Sequence, residues 1–242
     1  MNISVCMATY NGQKHIVEQI KSIISQLKSN DEIIVVDDCS KDSTIELIKS
    51  LNDSRIKIFK NEINKGHVFS FNRSISLAKN EVVFLSDQDD IWVEDRVRLL
   101  LEKLTITNKL LVSSNFNDFK GDFNNQSPSR SPLKEIDSSK NFKNIFGVFW
   151  GKSDYYGCTM GFKKELKKTI IPIPKYVESH DLWIAMCANL MNSNTHLNKI
   201  TILRRIHNSN LTNPNRPLLL KLKSRIVLFI SLLVLSFRII KK

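Results

Sequence analysis

The stretch EVVFLSDQDDIW brings three carboxylates, Asp87, Asp89 and Asp90, to the end of an apolar run. Carboxylates held that close raise one another's pKa unless something positive sits between them. Alternating carboxylates at a strand end supply the oxygen ligands that a hard divalent cation takes, and such a cation grips phosphate oxygens in turn. The competing reading is a solvated turn, with Asp90 capping a helix that starts near Val93. A second pair, Asp37 and Asp38, closes the apolar run EIIVVDD. These two could hydrogen-bond a base or ribose, or could serve turn chemistry with Ser40. Asp181 precedes the apolar segment LWIAMCANL, where a carboxylate complements a helix dipole. Facing a cleft, it could instead take a proton from an alcohol. Arg205, His207 and Asn210 in RRIHNSN suit a diphosphate, Arg by charge and His by donation, or form a solvated basic loop.

These residues need a scaffold, and the sequence supplies one in alternating runs. ISVCMAT, EIIVVDD, RIKIF and EVVFLSD read as strands, while HIVEQIKSIISQL, CSKDSTIELIKSL and GHVFSFNRSISLAK repeat apolar residues at helical steps. That rhythm predicts βαβ units and a parallel sheet. Ligands of such sheets bind outside the carboxyl ends of the strands. Thr9, Asp37, Asp38, Asp87, Asp89 and Asp90 all fall at that edge. Residues 115–140 lose periodicity and gain Ser, Asn and Pro, which predicts a loop or lid. A helix is expected from His180 through Leu190 and a short strand near HLNKITILRR.

The totals fit a globular α/β domain with a tail: 242 residues, 42% hydrophobic, 25% charged, with seven Gly and six Pro. The four cysteines, at positions 6, 39, 158 and 187, form no C-x-x-C pair, and three lie in or beside apolar segments. They predict a reducing compartment with neither zinc nor a disulfide framework. MNISVCMATYNGQ lacks the basic and apolar regions of a signal peptide, so a cytoplasmic protein is expected. Ten of the 36 basic residues, and none of the 24 acidic ones, follow Asp181, so the net charge of +12 is concentrated near the end. A localised anionic partner is implied. In PLLLKLKSRIVLFISLLVLSFRIIKK the uncharged apolar core, 226–237, is shorter than the roughly 20 residues that span a bilayer. Lys221, Ser224, Arg225, Ser231, Arg238 and Lys242 make a narrow polar stripe on an apolar rod. Residues 213–242 are expected to lie as an amphipathic helix on the membrane, with the stripe at the headgroups. A core or dimer helix and a short spanning segment are the alternatives.

Taken in order, VCMATYNGQKHIVEQIKSIISQ, IIVVDDCSKDST, NEINKGHVFSFNRSISLAKNEVVFLSDQDDIW, GCTMGF, HDLW and RRIHNSN resemble the family 2 glycosyltransferases of the GT-A fold. The nearest likeness is to the bacterial rhamnosyltransferase-like branch, and it covers about residues 1–212. The resemblance implies a Rossmann-like, mainly parallel sheet, with residues 1–114 as a nucleotide-binding half and 115–212 as an acceptor-side half. It implies a nucleotide-diphosphate sugar donor, dTDP- or UDP-linked, Mg²⁺ or Mn²⁺, inversion at the anomeric carbon and a lipid-linked saccharide acceptor. By position, Thr9, Tyr10, Asn11, Asp37, Asp38, Asn64, Gly66, Asn72, Asp87 and Gln88 would line the nucleotide pocket, with Asp38 toward the base. Asp89, with Asp87 and His207, would hold the metal. Asp181 would be the general base, and Arg205, His207, His180, Trp183, Gly157 and Cys158 would meet the diphosphate or acceptor. The family commonly places Tyr before the Arg of R-x-H-x-x-N, and Arg204 stands there instead.

Other classes compete less well. An aspartyl phosphohydrolase would want Thr or Val two residues after the second Asp of D-x-D, where Asp90 and Ile91 follow. A sugar-nucleotide-binding module without turnover would differ only in what Asp181 does. Nucleic acid is not expected as a partner, because the basic residues of the tail are interleaved with aliphatic rather than aromatic side chains. A homodimer through the tail is compatible with the same pattern.

Overall fold

The computed structural model describes residues 1–129, 131–207 and 217–241. Strands β1 (Ile3–Thr9), β2 (Glu32–Asp37), β3 (Ile56–Lys60) and β4 (Val82–Ser86) pair in parallel in the order β3-β2-β1-β4. Helices α1 (Ile16–Ile24), α2 (Thr44–Ser50) and α3 (His67–Leu77) connect them. β1, β2 and β4 are almost wholly buried, which is why they read as unbroken apolar runs. Alternate residues feed opposite faces. Ile20 and Ile23 of α1 pack with Val5 and Phe84 on one face, and Phe71 and Ile75 of α3 pack with Cys6 and Leu85 on the other.

Beyond β4 the pairing is mixed. The chain continues through β5 (Ile91–Trp92), α4 (Arg96–Thr107), β6 (Leu111–Lys120), β7 (Asp122–Pro128), α5 (Asn141–Trp150), β8 (Met160–Lys163), α6 (Lys164–Ile170), α7 (His180–Leu190), β9 (Asn194–Arg205) and α8 (Leu218–Ile240). β8 runs antiparallel to β4 and β6, β6 and β9 are parallel, and β5 closes the far edge antiparallel to β9. The helix expected near Val93 begins three residues later, after a short strand, and Asp90 is buried rather than capping it. The loop expected over 115–140 is, through Pro128, a β-hairpin turned at Gly121. Register shifts after Ser113, Asn115 and Phe119 break the period-two pattern that would have marked the strand.

The tail also departs from expectation. α8 packs on α6 and α7, with Ser231 and Leu235 buried. Ser224 donates to Glu178 Oε2 (2.7 Å), and Arg238 donates to the carbonyls of Thr169 (2.9 Å) and Pro172 (2.8 Å) with its guanidinium over Trp183. Ser224, Ser231 and Arg238, half of the stripe expected at lipid headgroups, therefore face the protein, because three carbonyl or carboxylate acceptors await them there. Arg216 and Lys242 lie outside the described residues. Among the described residues no helix is long and apolar enough to cross a membrane.

Candidate active site

At the carboxyl edge the turns after β1 and β2 are locked together by side chains. Thr9 Oγ1 donates to Asp37 Oδ1 (3.1 Å), and Asp37 also receives the Ser40 amide (2.9 Å) and hydroxyl (2.5 Å). Asn11, at φ 48°, accepts from the Lys41 amide and donates its own amide to Ser40 Oγ. Asp38 accepts from Asn61 Nδ2 (2.7 Å) and from the amides of Lys65 (2.9 Å) and Gly66 (2.7 Å), while Asn64 also caps the Gly66 amide. Both aspartates thus shape the rim of the cleft through its backbone. Gln88 reaches back from β4 and holds both polar backbone groups of Tyr10, at 2.9 and 3.2 Å. Gly12 permits this: a Cβ there would lie 2.5 Å from Gln88 Oε1. Asn72 is engaged elsewhere, its Oδ1 accepting from the Ile173 amide.

The acidic cluster divides in two. Asp87, Asp90 and the Cys158 thiol bring ligand atoms within 4.8 Å of one another. Burial, then the neighbouring Asp90 and Asp89 carboxylates, push the Asp87 carboxyl well above its usual range. Burial and Asp89 push Asp90 up to about 7, and its Oδ2 is buried with no hydrogen-bond partner among the described residues. Cys158 is raised as well, chiefly by burial, so it offers a neutral thiol. Asp89 turns toward β9: His207 Nε2 lies 2.8 Å from its Oδ2, and Arg205 Nε donates to its backbone carbonyl (3.0 Å). The Arg205 amide donates to Asp90 (3.1 Å) and its guanidinium to Glu18 (2.5 Å). An orphaned carboxylate oxygen beside mutually repelling oxygen donors fits a hard divalent cation. A neutral thiol adds little to that fit. Asn210 lies outside the described residues.

A second group of side chains is carried by α7 and the turn at Gly157–Thr159. Asp181 is half-buried; its Oδ1 accepts from Ser179 Oγ and from the Leu182 amide (2.8 Å). Its negative charge acts upward on the pKa of Asp87, His67, Tyr156 and His180, in each case as a smaller influence than burial. His180 stacks on Phe71 at 4.0 Å, with both ring nitrogens buried and unpartnered among the described residues. Gly157 makes room for it, since a Cβ there would sit 2.7 Å from Nε2. Trp183 is not brought to the cleft: it is fully buried and donates to the Ile170 carbonyl (2.9 Å).

Arg204, where Tyr is common, lies between the rings of Phe116 and Tyr156, 4.6 Å from each, and pairs with Asp118 at 2.6 and 3.0 Å. Two further residues carry no sequence signal of their own. Arg96, fully buried, donates to the Cys158 carbonyl (2.6 Å) and to Thr201, and its charge opposes that of Asp90. His15 stacks on His207 at 5.5 Å. Arg96 shares the buried face of α4 with Leu100 and Leu104, and only the fold reveals that Thr201 of β9 and Cys158 cover it.

Comparison with known proteins bears on the family and the fold. The chain is 27% identical over 227 residues to the dTDP-rhamnosyl transferase RfbG of Shigella flexneri, covering 86% of this chain and 74% of RfbG. It is 35% identical over 118 residues to a putative colanic acid biosynthesis glycosyl transferase, WcaA, of Escherichia coli (47% of this chain, 42% of WcaA). A third relative, the Escherichia coli protein WfgD, is named as a UDP-Glc:alpha-D-GlcNAc-diphosphoundecaprenol beta-1,3-glucosyltransferase; identity is 30% over 114 residues (47% of this chain, 45% of WfgD). The matches to WcaA and WfgD thus span less than half the length of either. In fold, the chain is similar to S. aureus TarS 1-349 in complex with UDP, with TM-score 0.68, 22% identity, and 85% and 61% of the two chains covered. It is also similar to the mannosyltransferase PcManGT from Pyrobaculum calidifontis in complex with GDP-Man and Mn2+, with TM-score 0.62, 17% identity, and 98% and 73% covered. These likenesses fix a GT-A fold, and because the glycosyl transferase family 2 model matches residues 4–170, well over half of the sequence, the chain belongs to that family.

Proposed function

We propose that this protein is an inverting glycosyltransferase that moves a sugar from a nucleotide-diphosphate donor to a hydroxyl of a growing, lipid-linked surface saccharide. The observation that carries this is the contact of Arg205 and His207 with Asp89 beside the buried Asp87 at the sheet edge; the Asp181 charge acting on Asp87 supports its part in the reading. In this reading the turns built on Asp37, Asp38 and Gln88 form the nucleotide rim. Asp89 and His207, beside Asp87, would hold Mg²⁺ or Mn²⁺, which when bound would neutralise the diphosphate. Arg205 faces the same leaving charge. Asp181 takes the proton of the acceptor hydroxyl as the new C–O bond forms, opposite the departing C–O–P bond. The names of RfbG and WfgD support dTDP- or UDP-linked donors, and the former supports rhamnose. The diphosphoundecaprenol in the name of WfgD supports a lipid-linked acceptor, hence work at the inner face of the cytoplasmic membrane with the basic tail toward the lipid.

The test is calorimetric titration with dTDP-, UDP- and GDP-sugars, with and without Mn²⁺, on wild type and Asp89→Asn. Metal-dependent binding of one nucleotide, lost in the variant, is expected; a folded protein that binds none of them would overturn the reading. Asp181→Asn should keep donor binding and lower transfer by about 10²–10⁴-fold. Donor binding without transfer by the wild type, across a panel of lipid-linked acceptors, would leave a binding module in place of an enzyme.

A further inference from the structure

A helix on a globular protein ordinarily turns its apolar stripe inward and its polar stripe to water. α8 does the reverse over much of its length. Ser224, Ser231 and Arg238 face α6, α7 and the loop between them, while Phe229, Leu233 and Phe237 stand 55%, 55% and 64% exposed. α5 repeats the pattern beside it, with Phe142, Phe146 and Trp150 at four-residue spacing and 88%, 64% and 53% exposed. Scattered exposed apolar residues are ordinary, but two adjoining stripes of large ones mark a docking surface. An apolar groove of about 340 Å³, lined from α5 and by Arg225 and Leu232 of α8, joins the two stripes.

Charge selects the occupant. Neither helix contains an acidic residue, and Lys143, Lys221, Lys223, Arg225 and Lys241 surround the apolar face. The nearby Asp137 is already paired with Lys140 and Lys143, and Glu178 accepts from Ser224. A second copy would bring the same positive rim against itself, whereas anionic headgroups complement it. Arg225, 5.3 Å from the Trp150 ring, places a cation beside an aromatic of the kind that sits at a bilayer interface.

We propose that α5 and α8 together form one face that inserts into an anionic lipid bilayer, with Trp150 within the interface. This deepens the membrane-side part of the proposed function and rests on it. The intact chain carries its own probe: of its three tryptophans, Trp92 and Trp183 are 3% and 0% exposed, so a change in emission reports Trp150.

The experiment titrates the full chain with phosphatidylcholine vesicles, with and without phosphatidylglycerol, using acyl chains brominated at graded depths. Expected are a blue shift and quenching by shallow bromines with the anionic vesicles, weakened by salt. Phe146→Ser on α5, and Phe229→Ser with Leu233→Ser on α8, should each weaken co-sedimentation by about tenfold or more. Trp150→Phe should sediment normally without the signal. Co-sedimentation with no quenching of Trp150 would overturn the α5 half of the proposal. A dimer in sedimentation velocity that shields Trp150 from aqueous quenchers, with no vesicle binding, would overturn the whole and make a second copy the occupant. Sugar-nucleotide binding with Mn²⁺, followed in the same samples, separates failure of the surface from failure of the enzymatic reading.

Discussion

His180 enters the fold as a neutral ring. Burial pulls its pKa down to about 4, against which the nearby Asp181 charge is the smaller influence, and the ring lies flat on Phe71. A histidine with a depressed folded-state pKa binds its proton in the unfolded chain first. Its share of stability is therefore whole above the unfolded pKa of about 6.5 and is lost as pH falls toward 4. Replacing it with phenylalanine, which keeps the stack, should leave the stability difference between the two proteins flat above pH 6.5. Below that the difference should move in favour of His180→Phe by at most about 1.4 kcal/mol per pH unit. Urea unfolding of both proteins from pH 4 to 8 measures it, and parallel curves would mean that the ring takes up its proton in the fold as it does in the unfolded chain. Gly157 guards the same ring from the other side. Gly157→Ala should cost about 1–3 kcal/mol by overpacking, read as a lowered urea midpoint at unchanged slope.

At the level of elements, β9 couples the two halves of the site, because Arg204 and Arg205 leave it in opposite directions. Arg204 fastens β9 to β6 through Asp118 and the rings of Phe116 and Tyr156; Arg205 fastens it to the β4–β5 turn through Asp89 and Asp90. Arg204→Ala would strand a partly buried carboxylate, so a loss of about 2–4 kcal/mol is expected. Asp118→Asn with Arg204→Tyr should recover much of it, and thermal melts of both variants against the wild type decide the matter. The parallel half of the sheet is legible in the sequence because β1, β2 and β4 are buried on both faces and end in Thr9, Asp37–Asp38 and Ser86-Asp87, so the edge that holds the site can be read before any coordinates. The second half is not legible, since bulges disrupt the alternation of β6 and Asn, Ser and Asp fill positions whose backbones β9 satisfies. Arg96 escapes notice for a related reason: what makes it part of the site is a contact with Cys158, 62 residues away in the chain. The Gln88 strut is half legible, as its place in the motif is plain but its grip on Tyr10 is not.

Over the whole molecule the tail is both a structural member and the charged end of the chain. Leu235 is fully buried, Leu228 and Val234 pack against the same core, and Arg238 covers the Trp183 ring while capping carbonyls at the end of α6 and just after it. A tail that merely tethered the enzyme could be removed without consequence for the fold. Here removal would uncover Trp183, Ile170 and Leu166 and leave those carbonyls to water. Returning one aromatic and two aliphatic side chains to solvent costs roughly 4–8 kcal/mol, a large part of the 5–15 kcal/mol typical of a domain. A chain ending at residue 216 should therefore unfold at markedly lower urea concentration, or fail to stay soluble, and lose donor binding in proportion to the folded fraction. Circular dichroism and nucleotide titration on that truncation test this together: a stable, nucleotide-binding fragment would show that α8 contributes only to the lipid face. In the opposite outcome membrane attachment and folding depend on the same helix, so substitutions that separate them must come from its outward face, where Phe229 and Leu233 meet no core residue and can be made polar while the inward stripe stays intact.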